Sequence, residues 1–180
     1  MNFIELINTR GSSVQKQKKE HVFVQGEAEK ALYIVESGLL KAYYTSEDGK
    51  EMIKSFISPG NIIGSLSSFY AGGNSSFSLI CLEKTCLKKI SFELINKYCK
   101  SDLELANNMI ELLLQFAFKK ENREYEFLCL SAENRFVQIA KNSPDFLKKI
   151  TQNDLASYLG ITPVGLSRIK KRTGYDLNQP

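Results

Sequence analysis

Tryptophan is absent from this 180-residue sequence, histidine occurs once, and proline and cysteine occur four times each. The single histidine, His21, cannot build the histidine cluster that a metal-dependent enzyme on a β-barrel needs. Cys81, Cys86, Cys99 and Cys129 include no CxxC pair, and their spacing fits neither a zinc site nor an iron–sulfur run. Four reduced thiols, most of them buried, are expected. No catalytic residue, metal or other cofactor is therefore expected. The N-terminus, MNFIELINTR, lacks the basic, then apolar, then small pattern of a signal peptide, so a cytoplasmic protein is expected.

Charge is missing in one place. Charged residues make up 24% of the chain, yet SFISPGNIIGSLSSFYAGGNSSFSLICL, residues 55–82, contains none. Glycine, serine and asparagine interrupt the run too often for a membrane span, which needs about 20 predominantly apolar residues. Turns and short strands wrapped around a site fit it better. The net charge of +4 is mildly basic and permits a polyanionic partner without requiring one.

What is present changes texture along the chain. Apolar runs at Val22 to Val24, Leu32 to Val35, Leu39 to Tyr44 and Met52 to Ile57 are broken at Gly26, Ser37-Gly38, Asp48-Gly49 and Pro59-Gly60. That rate of strand and turn predicts a small antiparallel barrel or jelly roll, and Asp48-Gly49 predicts a hairpin. From Ser91 to Leu128 there is neither glycine nor proline, and apolar residues from Leu105 to Ala117 recur at three- and four-residue spacing. This predicts a long helix with apolar surface too wide for one partner. A shorter helix is predicted after Ser131, ending at Asn142-Ser143-Pro144. The fold class is α+β, an antiparallel β jelly roll followed by helices.

The segment TQNDLASYLGITPVGLSRIKK, residues 151–171, is the most specific in the chain. Thr151 and Asp154 form a capping-box pattern that starts one helix. Gly160 ends it. Thr162 caps a second helix, with Pro163 at the first helical position. Leu155, Leu159, Ile161, Leu166 and Ile169 suit one small core, and Ala156 and Gly160 are small where backbones must approach. Together these features predict a helix-turn-helix. Its second helix carries Ser167, Arg168, Lys170, Lys171 and Arg172, and no acidic residue occurs from Leu155 to Thr173. A capped helix start beside cations suits a DNA major groove, so Thr151, Thr162, Pro163, Val164, Ser167, Arg168, Lys170, Lys171 and Arg172 are the candidate DNA-binding residues.

Barrel, long helix and helix-turn-helix in that order resemble the Crp/Fnr family of bacterial transcription regulators. LYIVESGLLKAYYTSEDGKE looks like that family's sensor barrel, PGNIIGSL like the turn into its ligand cassette, and YLGITPVGLSRIKK like its DNA-reading end. The resemblance implies a cyclic-nucleotide-binding-like sensor barrel over residues 1–101, a dimerisation helix over 102–128 and a DNA-binding domain over 129–180. It implies a homodimer joined through Ala106, Met109, Ile110, Leu113, Phe116 and Ala117, reading a palindromic operator in double-stranded DNA, with RNA polymerase as a further partner. In nucleotide-binding members the cassette offers a Glu to the ribose and an Arg, followed by Ser or Thr, to the cyclic phosphate. Laid over that pattern, this chain places Ser65 at the Glu position and Ser75 at the Arg position. Gly64, Ser65, Leu66, Ser75 and Ser76 then outline a degenerate effector pocket without either charged ligand. The recognition helix departs too, with Val164 and Gly165 where many relatives carry Glu and Thr.

Three other readings compete with a DNA-binding regulator that ignores cyclic AMP. One is a regulator sensing an unknown small molecule or a redox signal. Another is an effector-free module that dimerises and acts through protein partners. A cupin-like enzyme is the third, and it fails for want of histidines.

Overall fold

The computed structural model describes residues 1–70 and 72–174. The last six residues of the expected DNA-binding domain lie outside the described residues. Asn2 opens the chain with a reciprocal capping box, accepting from the Glu5 N–H while the Glu5 carboxylate accepts from the Asn2 N–H. The helix it starts, α1 (Phe3–Arg10), buries Leu6 and Ile7 completely. Eight strands follow: β1 (Ser12–Lys16), β2 (His21–Phe23), β3 (Ala31–Ser37), β4 (Leu40–Thr45), β5 (Glu51–Ile57), β6 (Ile62–Gly64), β7 (Ser78–Cys81) and β8 (Thr85–Ser91), with the short helix α2 (Leu66–Tyr70) between β6 and β7.

The strands form two four-stranded sheets in the orders β1-β8-β3-β6 and β2-β7-β4-β5, every pairing antiparallel. Alternation along each strand turns apolar residues into a shared core: Ala31, Tyr33, Val35, Ile63 and Leu87 from the first sheet, Phe23, Leu40, Ala42, Ile57, Leu79 and Cys81 from the second. This is the expected jelly roll. The hairpin at Asp48-Gly49 forms, but as a five-residue connection from Ser46 to Lys50 rather than a two-residue turn. The Ser46 hydroxyl sets that length by accepting from the Lys50 N–H. His21 is a packing residue, its Nε2 2.8 Å from the Tyr43 hydroxyl. The cysteines depart from expectation: only Cys81 is buried, Cys86 and Cys99 are half-buried, and Cys129 is exposed.

The helical half is interrupted at a place that no glycine or proline marks. α3 (Phe92–Cys99) stops, and α4 (Leu103–Cys129) begins after Asp102, whose carboxylate accepts from the Leu105 N–H at 3.0 Å. An aspartate can cap as well as continue a polar face, and here capping wins. After α4 come α5 (Ala132–Asn142), α6 (Pro144–Lys149), α7 (Gln152–Leu159) and α8 (Pro163–Thr173). Ser131 caps α5 as expected, accepting from the Asn134 N–H. The chain divides into two compact units, Met1–Gln115 and Phe116–Pro180, and α4 contributes its first half to one and its second half to the other. In the second unit α7 and α8 pack on each other and on α5 around Phe136, Leu155, Leu159 and Leu166. Each of those side chains contributes about 1.5–3 kcal/mol of burial.

Candidate nucleic-acid interface and effector cassette

α7 and α8 meet through the signals their sequence carries. Thr151 accepts from the Asp154 N–H at 3.0 Å and donates to the Asp154 carboxylate, so its hydroxyl serves the helix start. Gly160 closes α7 in the left-handed region, at φ 70°. Thr162 accepts from the Gly165 N–H at 3.1 Å, with Pro163 at the first turn, and starts α8. Leu155, Ala156, Leu159, Leu166 and Ile169 are buried, whereas Ile161 is only half-buried.

With Leu166 and Ile169 turned inward, about 100° per residue along a helix puts Val164, Arg168 and Lys171 together on the outer face. All three are exposed, as are Thr162, Pro163 and Ser167. The remaining cations are engaged within the unit. Lys170 donates to the Gln152 side chain, and Arg172 pairs with Glu133 of α5. Ser167 donates to the Pro163 carbonyl at 3.1 Å.

In the barrel, the neutral run takes in the end of β5, then β6, α2 and β7. Ser65 and Ser75 are buried and their hydroxyls are occupied. The Ser65 Oγ lies 3.0 Å from the Ser67 Oγ, which reaches the Asn74 carbonyl; the Ser75 Oγ donates to the Phe77 carbonyl at 2.8 Å. Ser76 and Leu66 are exposed. Gly64 is small because β6 presses on β3: a Cβ there would lie 2.6 Å from the Leu32 side chain. Phe77, which the residue pattern did not single out, anchors the segment. Its ring meets Phe23 edge-on at 5.2 Å, and the Lys54 ammonium lies 4.9 Å from its centre. The loop thus closes on its own hydroxyls and on an aromatic anchor, and the ammonium beside it, that of Lys54, lies over the anchor's ring.

α4 carries two opposed apolar faces. Leu105 and Leu112 are buried, while Ile110, Leu114, Phe118 and Leu128 are 56%, 64%, 63% and 77% exposed. Of the residues expected at a dimer contact, Ile110, Leu113 and Ala117 are exposed, and Ala106, Met109 and Phe116 are half-buried. Leu114, Phe118, Tyr125 and Leu128, which are not among those six, are exposed as well. Counting positions half a turn away from Leu105 and Leu112 would have found Leu114 and Leu128.

Among the described residues no helix is long and apolar enough to cross a membrane, and no group of three or more His, Cys, Asp or Glu could hold a metal ion. Residues 13–102, half of the chain, match the cyclic nucleotide-binding domain. Electron transport regulator A of Shewanella oneidensis is 28% identical over 167 residues, which cover 87% of this chain and 66%, just under two thirds, of that protein. FixK2 from Bradyrhizobium japonicum aligns with a TM-score of 0.75 at 17% identity, over 91% of this chain and 84% of that one. A transcriptional regulator assigned to the Crp/Fnr family, from Eubacterium rectale, aligns with a TM-score of 0.74 at 18% identity, over 97% and 84%. Its barrel matches that domain and its fold aligns with these regulators, and the chain belongs to the cyclic nucleotide-binding domain family.

Proposed function

We propose that the chain is a homodimeric transcription regulator that reads a palindromic DNA site through α8, with a barrel that does not take cyclic AMP or cyclic GMP. The observation that carries this reading is the face of α8: Val164, Arg168 and Lys171 exposed together beside a capped helix start, with no acidic residue from 155 to 173. Arg168 sits centrally on that face, where a guanidinium suits guanine O6 and N7, and Val164 suits a thymine methyl. Lys171, one turn further on, suits a backbone phosphate. Lys170 and Arg172 reach phosphate only by leaving Gln152 and Glu133.

Dimerisation follows from the outer face of α4, whose exposed Ile110, Leu114, Phe118 and Leu128 are the large apolar side chains a second copy would cover. The division into a sensor barrel at 1–101, a dimerisation helix at 102–128 and a DNA-binding domain at 129–180 belongs to the same reading. Loss of cyclic nucleotide binding follows from the cassette, because a buried phosphate without a cation costs several kcal/mol or more. A regulator of this kind acts in the cytoplasm beside RNA polymerase.

Competition binding at two salt concentrations tests the assignment of roles. Arg168→Ala should lose about 1–3 kcal/mol and relax preference at one position per half-site. Lys171→Ala should weaken all duplexes alike and flatten the salt dependence by about one unit of slope. Equal weakening of specific and random duplexes by Arg168→Ala would reduce Arg168 to a phosphate clamp and overturn the reading of α8.

A further inference from the structure

Two helices of the second unit end without a cation of their own: neither α4 nor α7 has a basic residue in its last turn. The unsatisfied carbonyls at a helix C-terminus carry partial negative charge and favour a nearby cation. Here each end receives one from elsewhere in the chain. Arg135 of α5 is buried, and its Nη1 donates to the carbonyls of Glu126, Phe127 and Leu130 at 3.2, 3.3 and 2.6 Å, closing α4. Its Nη2 donates to the Leu159 carbonyl at 2.8 Å, closing α7. One planar guanidinium therefore joins the two helix ends. A single ammonium could not span both.

Arg123 adds a second link. It leaves α4 to donate to the Tyr158 carbonyl of α7, with its guanidinium 3.9 Å from the centre of the Tyr158 ring. Between the two arginines lies Phe127, whose ring centre is 5.0 Å from the Arg123 guanidinium and 4.6 Å from that of Arg135. The same ring touches the turn of the helix-turn-helix, since a Cβ at Gly160 would stand 2.5 Å from its Cζ. Two charged links, an aromatic spacer and a glycine meet at one junction.

We infer that Arg123 and Arg135 are positioning residues, which lock the end of α4 to the helix-turn-helix around Phe127 and thereby fix the spacing at which two copies of α8 present themselves to DNA. This rests on the proposed dimeric DNA binder: α4 carries the contact between copies, and α8 carries the contact with DNA. Neither arginine lies on the outer face of α8, so neither serves as a phosphate contact in this arrangement.

The test uses the full chain, with Arg135→Lys and Arg123→Leu as variants that keep the core residues intact. Binding is measured to palindromic duplexes whose half-sites are moved together or apart by one and two base pairs. The unmodified protein should prefer one spacing. Either variant should lose that preference by roughly tenfold, equivalent to about 1.4 kcal/mol, while the salt dependence keeps its slope. Affinity that falls equally on every spacing, or a slope that falls by about one unit, would overturn the proposal. Hydrogen exchange of the DNA-free protein separates this idea from the reading beneath it. Amides in the last turns of α4 and α7 should exchange together and roughly tenfold faster in Arg135→Lys, a population shift of the same size. Unchanged exchange would overturn the clamp whatever the DNA result. An unmodified protein that binds no duplex, yet shows the exchange effect, would overturn the DNA-binding reading and leave the link between helix ends standing.

Discussion

Gly160→Ala should be among the most damaging one-carbon changes in the second unit. Gly160 adopts φ 70°, in the left-handed region, where a side chain costs roughly 1–2 kcal/mol. The added Cβ also arrives 2.5 Å from the Phe127 Cζ, far inside van der Waals contact. The ring is 46% exposed and can yield toward solvent, but only by giving up its contacts with the guanidinium groups of Arg123 and Arg135. Overpacking of this sort costs about 1–3 kcal/mol, so the total is about 2–5 kcal/mol. Whole domains are stable by only about 5–15 kcal/mol, so this substitution alone should remove a large part of the unit's stability. Far-UV circular dichroism under urea is the assay, since tryptophan is absent and the second unit is helical throughout its regular elements. The decisive comparison is the same substitution made in a Phe127→Ala background. There the steric part vanishes and only the backbone part, about 1–2 kcal/mol, should remain. Equal losses in the two backgrounds, or a loss below about 1 kcal/mol in the unmodified one, would refute the contact between ring and turn as the source of the constraint.

Leu114→Glu should convert the proposed dimer to a folded monomer by light scattering at micromolar concentration, whereas Leu112→Glu, on the buried side of α4, should cost the fold itself by about 2–5 kcal/mol. Gly165→Ala should stabilise α8 by about 0.5–1 kcal/mol in urea, because the added Cβ meets the Thr162 Oγ1 at 3.4 Å and the Ile161 Cβ at 3.8 Å, both ordinary contacts. A destabilised Gly165→Ala variant would show that α8 needs the glycine for its backbone. Titration calorimetry with cyclic AMP and cyclic GMP should show no micromolar binding, and such binding at physiological salt would show that serine hydroxyls and backbone donors suffice.

The jelly roll and the helix-turn-helix were legible because their signals are local. Strand alternation and turn residues mark β2 to β5, and Thr151, Gly160, Thr162 and Pro163 act within a few residues of themselves. α1 was legible in principle, through Asn2 and Glu5 at capping-box spacing. The break between α3 and α4 is marked only by the family resemblance, which puts the long helix at 102–128, since Asp102 caps that helix without any glycine or proline to announce it. The cassette was half legible. The want of charge around Ser65 and Ser75 is written in the sequence, but closure of the loop by their hydroxyls and by Phe77 depends on partners that only folding supplies. Arg135 was invisible for the same reason. A charged residue on a short helix reads as surface until the carbonyls of two other helices are seen to surround it.

Selection of bound sequences from random duplexes tests the central claim most directly, because one experiment examines binding, symmetry and spacing together. An inverted repeat with half-sites about one helical turn apart should be enriched, lost in Leu114→Glu and relaxed at one position per half-site in Arg168→Ala. A pool that stays random, or an enriched site without two-fold symmetry, would contradict it.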